Sequence, residues 1–194
     1  MAAPFVHSHA LVDSDQVGQD TKIWAFAQVM KGATIGHSCS IGGHAFIEAG
    51  AVIGDRVTIK NQVMVWEGVT IQDDVFVGPG VIFTNDRHPR SPRMQGVPAV
   101  TERYHHKASW LVSTLIERGV SIGAGAVITP GVTIGAYSMI GAGAVVTKST
   151  AAHSLMLGNP AVLAGWVCLC GRRLDRSKAM PGPIKASCEC LRQI

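Results

Sequence analysis

Large apolar residues recur at every sixth position from Phe5 to Phe83, through Leu11, Val17, Ile23, Val29, Ile35 and onward to Ile71 and Val77. The same beat resumes at Trp110 and runs through Ile116, Ile122, Ile128, Ile134 and Ile140 to Val146. Four places after most of them sits a small or β-branched residue: Cys39, Ala45, Ala51, Val57, Val63, Val69, Val75, Val81, Val120, Ala126, Val132, Ser138 and Ala144. Six is an even period, so in extended chain the large residues share one side. On an α-helix six residues advance a net 240° or so, and the same residues would point to three sides without making a face. Short strands joined by turns and stacked rung on rung are therefore predicted, with helix nearly absent. The beat also disposes of a membrane helix over 119–147, an uncharged stretch that holds seven glycines and Pro130.

Between Phe83 and Trp110 the beat stops. The step is 27 residues where six is expected, which leaves 21 extra. The interruption, about 84–109, is unlike the coils: it carries Asp86, Arg87, His88, Arg90, Arg93, Glu102, Arg103, His105, His106 and Lys107. A solenoid of identical rungs has smooth sides, and a loop on a rigid scaffold is where binding groups gather. Its five arginines and lysines suit the phosphates of an anionic small molecule, to which arginine makes forked contacts. The same composition also suits a plain solvated loop.

The chain has 194 residues, 47% hydrophobic and 15% charged, which fits one domain, or one domain plus a small appendage. A net charge of +4 favours anionic small molecules as readily as nucleic acid, and no lysine or arginine run marks a nucleic-acid tail. No basic stretch followed by an apolar one opens the chain, and five cysteines are an odd number. Neither a secretory signal nor a disulfide framework is expected, so the cytoplasm is.

Hexads such as "IGHSCS", "IGGHAF", "IGDRVT", "IGAGAV" and "IGAYSM" resemble those of the left-handed parallel β-helix acyltransferases, the hexapeptide-repeat family, from Phe5 to about Val162. The resemblance implies an all-β protein: a left-handed parallel β-helix of about seven coils, three hexads to a coil, with one long inserted loop. Residues 1–162 would form the acetyltransferase domain and 163–194 a short C-terminal extension. "GNPA" at 158–161 resembles the family's exit from the last coil. The stretches "VWEGVTIQDDVFVGPGVIFTNDRHPRS" and "WLVSTLIERGVSIGAGAVI" further resemble N-acetyltransferases acting on nucleotide-linked 3-amino sugars.

That subgroup implies acetyl transfer from acetyl-CoA to the 3-amino group of a UDP-linked sugar. The expected acceptor is UDP-2-acetamido-3-amino-2,3-dideoxyglucuronic acid, in lipopolysaccharide O-antigen synthesis. It also implies a homotrimer with active sites between subunits, no catalytic metal, and no nucleic-acid or membrane partner. Asn85 would orient the amine or donate to the oxyanion, and Asp86 would accept from the amine. Glu67 matches an acidic position of the subgroup, and His88 is the available imidazole, on a variable position of the motif. The nucleotide sugar is expected near Gln28, Asn61, Gln62 and Trp66, whose ring would be exposed for stacking, and near Arg87, Arg90 and Arg93. Coenzyme A is expected along Ser121, Ala124, Gly141 and Ala142, with Arg118 and Lys148 for its phosphates.

Three rival readings share the scaffold. An O-acetyltransferase would need a histidine base such as His88 or His105 to strip a hydroxyl. A γ-type carbonic anhydrase would need three zinc histidines, and the adjacent pair His105–His106 lacks that spacing. A non-catalytic β-helix would not need the cationic insertion. In the tail, Cys168, Cys170, Cys188 and Cys190 form two Cys-x-Cys pairs, read either as a shrunken zinc ribbon or as reduced thiols.

Overall fold

The computed structural model describes residues 2–174. Its chain winds as a three-faced solenoid whose strands are two or three residues long up to Val146. The first face stacks eight parallel strands, from Phe5–Val6 to Ser154–Leu157, and Val162–Trp166 then adds antiparallel to the last. The second face stacks seven, from Leu11–Val12 to Val145–Val146. The third stacks five, from Thr34–Ile35 to Thr133–Ile134, prolonged by single bridges at Val17 and Thr150. Seven coils are thus complete and the first strand of an eighth follows. Coils are numbered here from the N-terminus: coil 2 holds Lys22–Ile23, Gln28–Val29 and Thr34–Ile35, and coil 5 holds Phe76–Val77, Ile82–Phe83 and Thr114–Ile116.

The core is one column of residues per face plus one per corner. Ile23, Ile41, Ile59, Ile122, Ile134 and Phe83 are all fully buried. The small residues four places on are buried too, from Cys39 and Ala45 to Ser138 and Ala144. Between them, three places after most of the large residues, the backbone turns through a left-handed conformation. Gly32, Gly50, Gly68 and Gly131 hold that place along one corner. Burial pushes the Cys39 thiol up, which suits an inert packing residue.

Register differs from the simple beat in two places. In coil 1, Val6 pairs with Ile23 and Val12 with Val29, seventeen residues apart instead of eighteen. Phe5 and Leu11 therefore point outward and are exposed, since one residue of slip moves a side chain to the other face. The second difference is the insertion. Ile71 pairs with Ile53, eighteen residues back, and with Ile116, forty-five residues on, so twenty-seven residues are extra and not 21. Trp110 is no rung. It caps a 3-10 turn, Lys107–Ser109, and packs on Tyr104 with ring centroids 5.6 Å apart. Ile116 follows Phe83 in the core, and the helix Pro98–His105, with proline at its start, belongs to the insertion.

Candidate active site at the second corner

The insertion leaves coil 5 at the second corner, where face two turns into face three. Stacking fixes what stands there. Glu67 of coil 4 lies directly below Asn85 of coil 5, and Pro130 and Lys148 occupy the same place in coils 6 and 7. Asn85 is half-buried: its Nδ2 donates to the Glu67 carbonyl at 3.2 Å, and its own carbonyl accepts from the Val112 N–H at 2.9 Å. One amide hydrogen and the Oδ1 of Asn85 remain to face a ligand. The Glu67 N–H donates to Glu48 at 2.8 Å, and its carboxylate pairs with Lys107 of the insertion at 2.7 Å.

Asp86 does something the sequence did not suggest. Its carboxylate accepts from the Tyr104 hydroxyl at 2.6 Å, from the His88 N–H at 2.9 Å and from Arg103. Its side chain is 10% exposed. Burial alone would push the carboxyl up, but the hydrogen bonds from Tyr104, His88 and Arg103 outweigh it and hold the group below the usual carboxylate range. Both oxygens are thus engaged in tying the root of the insertion to its helix. The sequence signal was there in Arg103 and Tyr104, but only folding brings them back to residue 86.

The remaining expected residues divide among separate places. Arg87 and Lys148 line one cavity of about 620 Å³ at the second corner with Thr84, Thr129, Thr147 and Ser149. Gly131, at its left-handed corner, lies against the Arg87 guanidinium and Val112. Arg90 and Arg93 are exposed on the insertion, as is His88. His105 and His106 both lie on Glu102, at 3.3 and 3.4 Å, on the solvent side. Trp66 is half-buried and tilted onto Phe46, 5.6 Å away, so it is less open than expected.

Gln28 is exposed on face two, whereas Asn61 and Gln62 stand on the first corner, between faces one and two. Ala124, Gly141 and Ala142 also belong to that first corner. Arg118 is elsewhere, on the third corner beside Gln72 and Asp73. Ser121 looks out from face one into a cavity of about 310 Å³ covered by Cys168, Leu169 and Cys170. Arg118, Lys148 and Ser121, all expected around coenzyme A, thus line three separate cavities of the chain. Cys188 and Cys190 lie outside the described residues. Among the described residues no group of three histidine, cysteine or carboxylate side chains could hold a metal ion, and no helix is long and apolar enough to cross a membrane.

The structure is thus a hexad solenoid with one polar insertion locked to a corner through Asp86. Residues 16–49, 50–85 and 113–148 match the bacterial transferase hexapeptide family (six repeats). These spans cover more than half of the chain, and the protein belongs to the hexapeptide-repeat acyltransferases. The unmatched gap, 86–112, is the same twenty-seven residues that the register shows to be extra.

A dTDP-3-amino-3,6-dideoxy-alpha-D-galactopyranose 3-N-acetyltransferase of Aneurinibacillus thermoaerophilus is 42% identical over 170 residues, 88% of this chain and 82% of that one. A galactoside O-acetyltransferase of Lactococcus lactis is 36% identical over 86 residues, 44% of this chain and 37% of that one. The acetyltransferase domain of PglB from Neisseria gonorrhoeae, solved with acetyl coenzyme A, shares the fold. It has a TM-score of 0.51 at 21% identity, over 83% of this chain and 57% of that one.

Proposed function

We propose that this protein is an acetyl-CoA-dependent N-acetyltransferase acting on the 3-amino group of a nucleotide-linked sugar. The observation that carries the reading is Asn85: a half-buried carboxamide, tethered to Glu67, at the root of the one polar insertion. Oδ1 accepts from the neutral amine and aims its lone pair at the thioester carbonyl. The spare N–H donates to the oxygen that becomes negative as the C–N bond forms. When the C–S bond breaks, the leaving thiolate takes the amine's surplus proton, so no histidine base is required. Asp86 is removed from the chemistry and becomes the anchor of the insertion.

The relative at 42% identity speaks for a thymidine-linked 3-amino-6-deoxyhexose as acceptor. The uridine-linked 3-aminoglucuronate stays as the second choice, with Arg90 or Arg93 to meet its carboxylate. Either product would serve surface-polysaccharide assembly, O-antigen included, from the cytoplasm.

A homotrimer completes the site. Face two turns Leu11, Phe46, Met64, Ile82, Val127 and Val145 outward; Leu11 is 65% and Ile82 51% exposed. Burying that face around an axis parallel to the solenoid brings the first corner of one copy against the second corner of the next. Ala124 and Ala142 of one chain then meet Asn85, Arg87 and Lys148 of its neighbour. Above a side chain at Gly125 or Gly143 there is open space, room for a pantetheine arm.

The test is release of coenzyme A from acetyl-CoA with a dTDP-3-amino-3,6-dideoxyhexose, with the UDP-3-aminoglucuronate, and with a galactoside. Release with a 3-amino sugar nucleotide and three-chain mass in sedimentation are expected. Release with the galactoside alone would overturn the reading in favour of O-acetylation.

A further inference from the structure

The first corner changes character at coil 5. Its left-handed position is glycine in coils 5, 6 and 7, at Gly80, Gly125 and Gly143. In coils 2 and 3 it is Phe26 and His44, at φ of 64° and 59°. A bulky residue is disfavoured in that conformation, and glycine is the unstrained choice. Tyr137 and His153 make a like stack at the third corner, but both are half-buried, whereas Phe26 is 52% exposed. The rings of Phe26 and His44 stack with centroids 5.0 Å apart and planes 20° from parallel, and His9 covers the lower side of Phe26 at 5.6 Å.

Beside this stack stands Trp24, 43% exposed, its orientation fixed by donation from Nε1 to Ser40 at 3.1 Å. The rings border a cavity of about 520 Å³ whose far wall is Asn61. The carboxamide of Asn61 lies against Gly42, where a side chain would collide with it, and in ordinary contact range of Gly43. Rigid rings with solvent over them and one amide at the rim suit a flat polar heterocycle: faces stack, and the edge reads a donor and an acceptor.

We infer that this corner is the base-binding subsite, holding the pyrimidine of the acceptor's nucleotide against Phe26, His44 and Trp24, with Asn61 at its edge. The inference rests on the sugar-nucleotide reading given above. Uracil and thymine both carry an imide N–H flanked by two carbonyls, to which one carboxamide is complementary. The reach also fits. Rungs lie about 4.8 Å apart, so Asn61 in coil 4 and His44 in coil 3 stand roughly 5 and 10 Å below the level of Asn85. With the first corner of one copy against the second corner of the next, the base rests on one chain. The diphosphate then rises past the neighbour's exposed arginines, and the sugar amine arrives at the neighbour's Asn85. The bare glycines from coil 5 upward leave the other half of the groove to acetyl-CoA.

Phe26→Ala and Asn61→Ala test this, because both residues are exposed and neither belongs to the core. Calorimetric titration with UDP and with dTDP, in the absence of any acetyl donor, reads the subsite without turnover. For Phe26→Ala the dissociation constant of the preferred nucleotide is expected to rise about ten- to a hundredfold, the range that one base–aromatic stack supports. KM for the sugar nucleotide should rise in parallel, with KM for acetyl-CoA within twofold and the oligomer mass and circular dichroism unchanged. Unaltered nucleotide affinity in both variants overturns the subsite, and so does a wild-type protein that binds neither nucleotide. A rise in the acetyl-CoA KM instead overturns it in favour of adenine on the shelf. Acetylation of sugar nucleotides that ignores Phe26 refutes the subsite and spares the function. Nucleotide binding through Phe26 without acetylation does the reverse.

Discussion

Replacing Asp86 by alanine should unlock the insertion without loosening the solenoid. The carboxylate accepts three hydrogen bonds, two of them from Tyr104 and Arg103 in the helix Pro98–His105 and one from the backbone of His88. A hydrogen bond to a charged group contributes about 1.5–3 kcal/mol, and removing one partner leaves the others short of an acceptor. Arg103, 24% exposed, regains part of its hydration, so the net loss should be about 2–3 kcal/mol, less than for a fully buried pair. That is roughly a 30- to 150-fold rise in the open population of the loop, at 1.4 kcal/mol per tenfold.

Limited trypsin digestion reads it, since Arg87, Arg90 and Arg93 are exposed cleavage sites and the cutting rate follows the open population when reclosing is fast. The melting temperature should stay put, because none of the three donors is a rung. The sign with pH follows from the same contacts. The folded carboxyl is held below its ordinary range, so the lock is fully present above the unfolded value near 4 and is lost as pH falls through the folded one. Trypsin needs neutral pH, so an acid-active protease would follow that arm. Cutting at an unchanged rate in Asp86→Ala would refute the lock. A faster rate with an equal fall in melting temperature would mean the insertion is part of the folding core.

Asn85→Ala should cripple turnover at saturating acetyl-CoA by about 10²–10³-fold, the loss seen for one oxyanion donor, while His88→Asn stays within about tenfold. A thousandfold loss on His88 with Asn85 dispensable would restore the general-base mechanism. Deleting 86–112 and replacing Ser113 by glycine should join coil 5 without surplus, since Ser113 then takes the left-handed place held by Gly32, Gly50, Gly68 and Gly131. The expected product melts normally and has no activity; normal activity would make the insertion ornamental. Phe83→Ala, at a fully buried rung, should cost about 3–5 kcal/mol and lower the melting temperature by roughly 6–20 °C. A shift under 2 °C would show that the core is not where the register puts it.

Much of the fold was legible because hexad periodicity is a local property. Each rung needs one large residue, one small one and a turn, and neighbours supply the rest, so the pattern from Ile23 to Val77 and from Ile116 to Val146 could be read without contacts. The beat misled where the chain offered a residue of the right kind at the wrong place. Phe5 and Leu11 keep the period but face water, because coil 1 is a residue short. Trp110 keeps it too, yet it caps a turn of the insertion. Hydrophobicity at a period cannot tell a rung from a coincidence; the ladder of backbone hydrogen bonds does.

The site was legible in kind and not in arrangement. Asn85 and Glu67 stand where a repeat of eighteen must stack them, so their sequence positions sufficed. Asp86 was open to any role until Arg103 and Tyr104 folded back onto it across seventeen and eighteen residues of loop that no period governs. The corners decide the rest. A solenoid distributes consecutive hexads to three different sides, so residues close in sequence, such as Arg118, Ser121 and Ala124, look in different directions. Residues on the first and second corners stand at opposite edges of face two, apart within one chain.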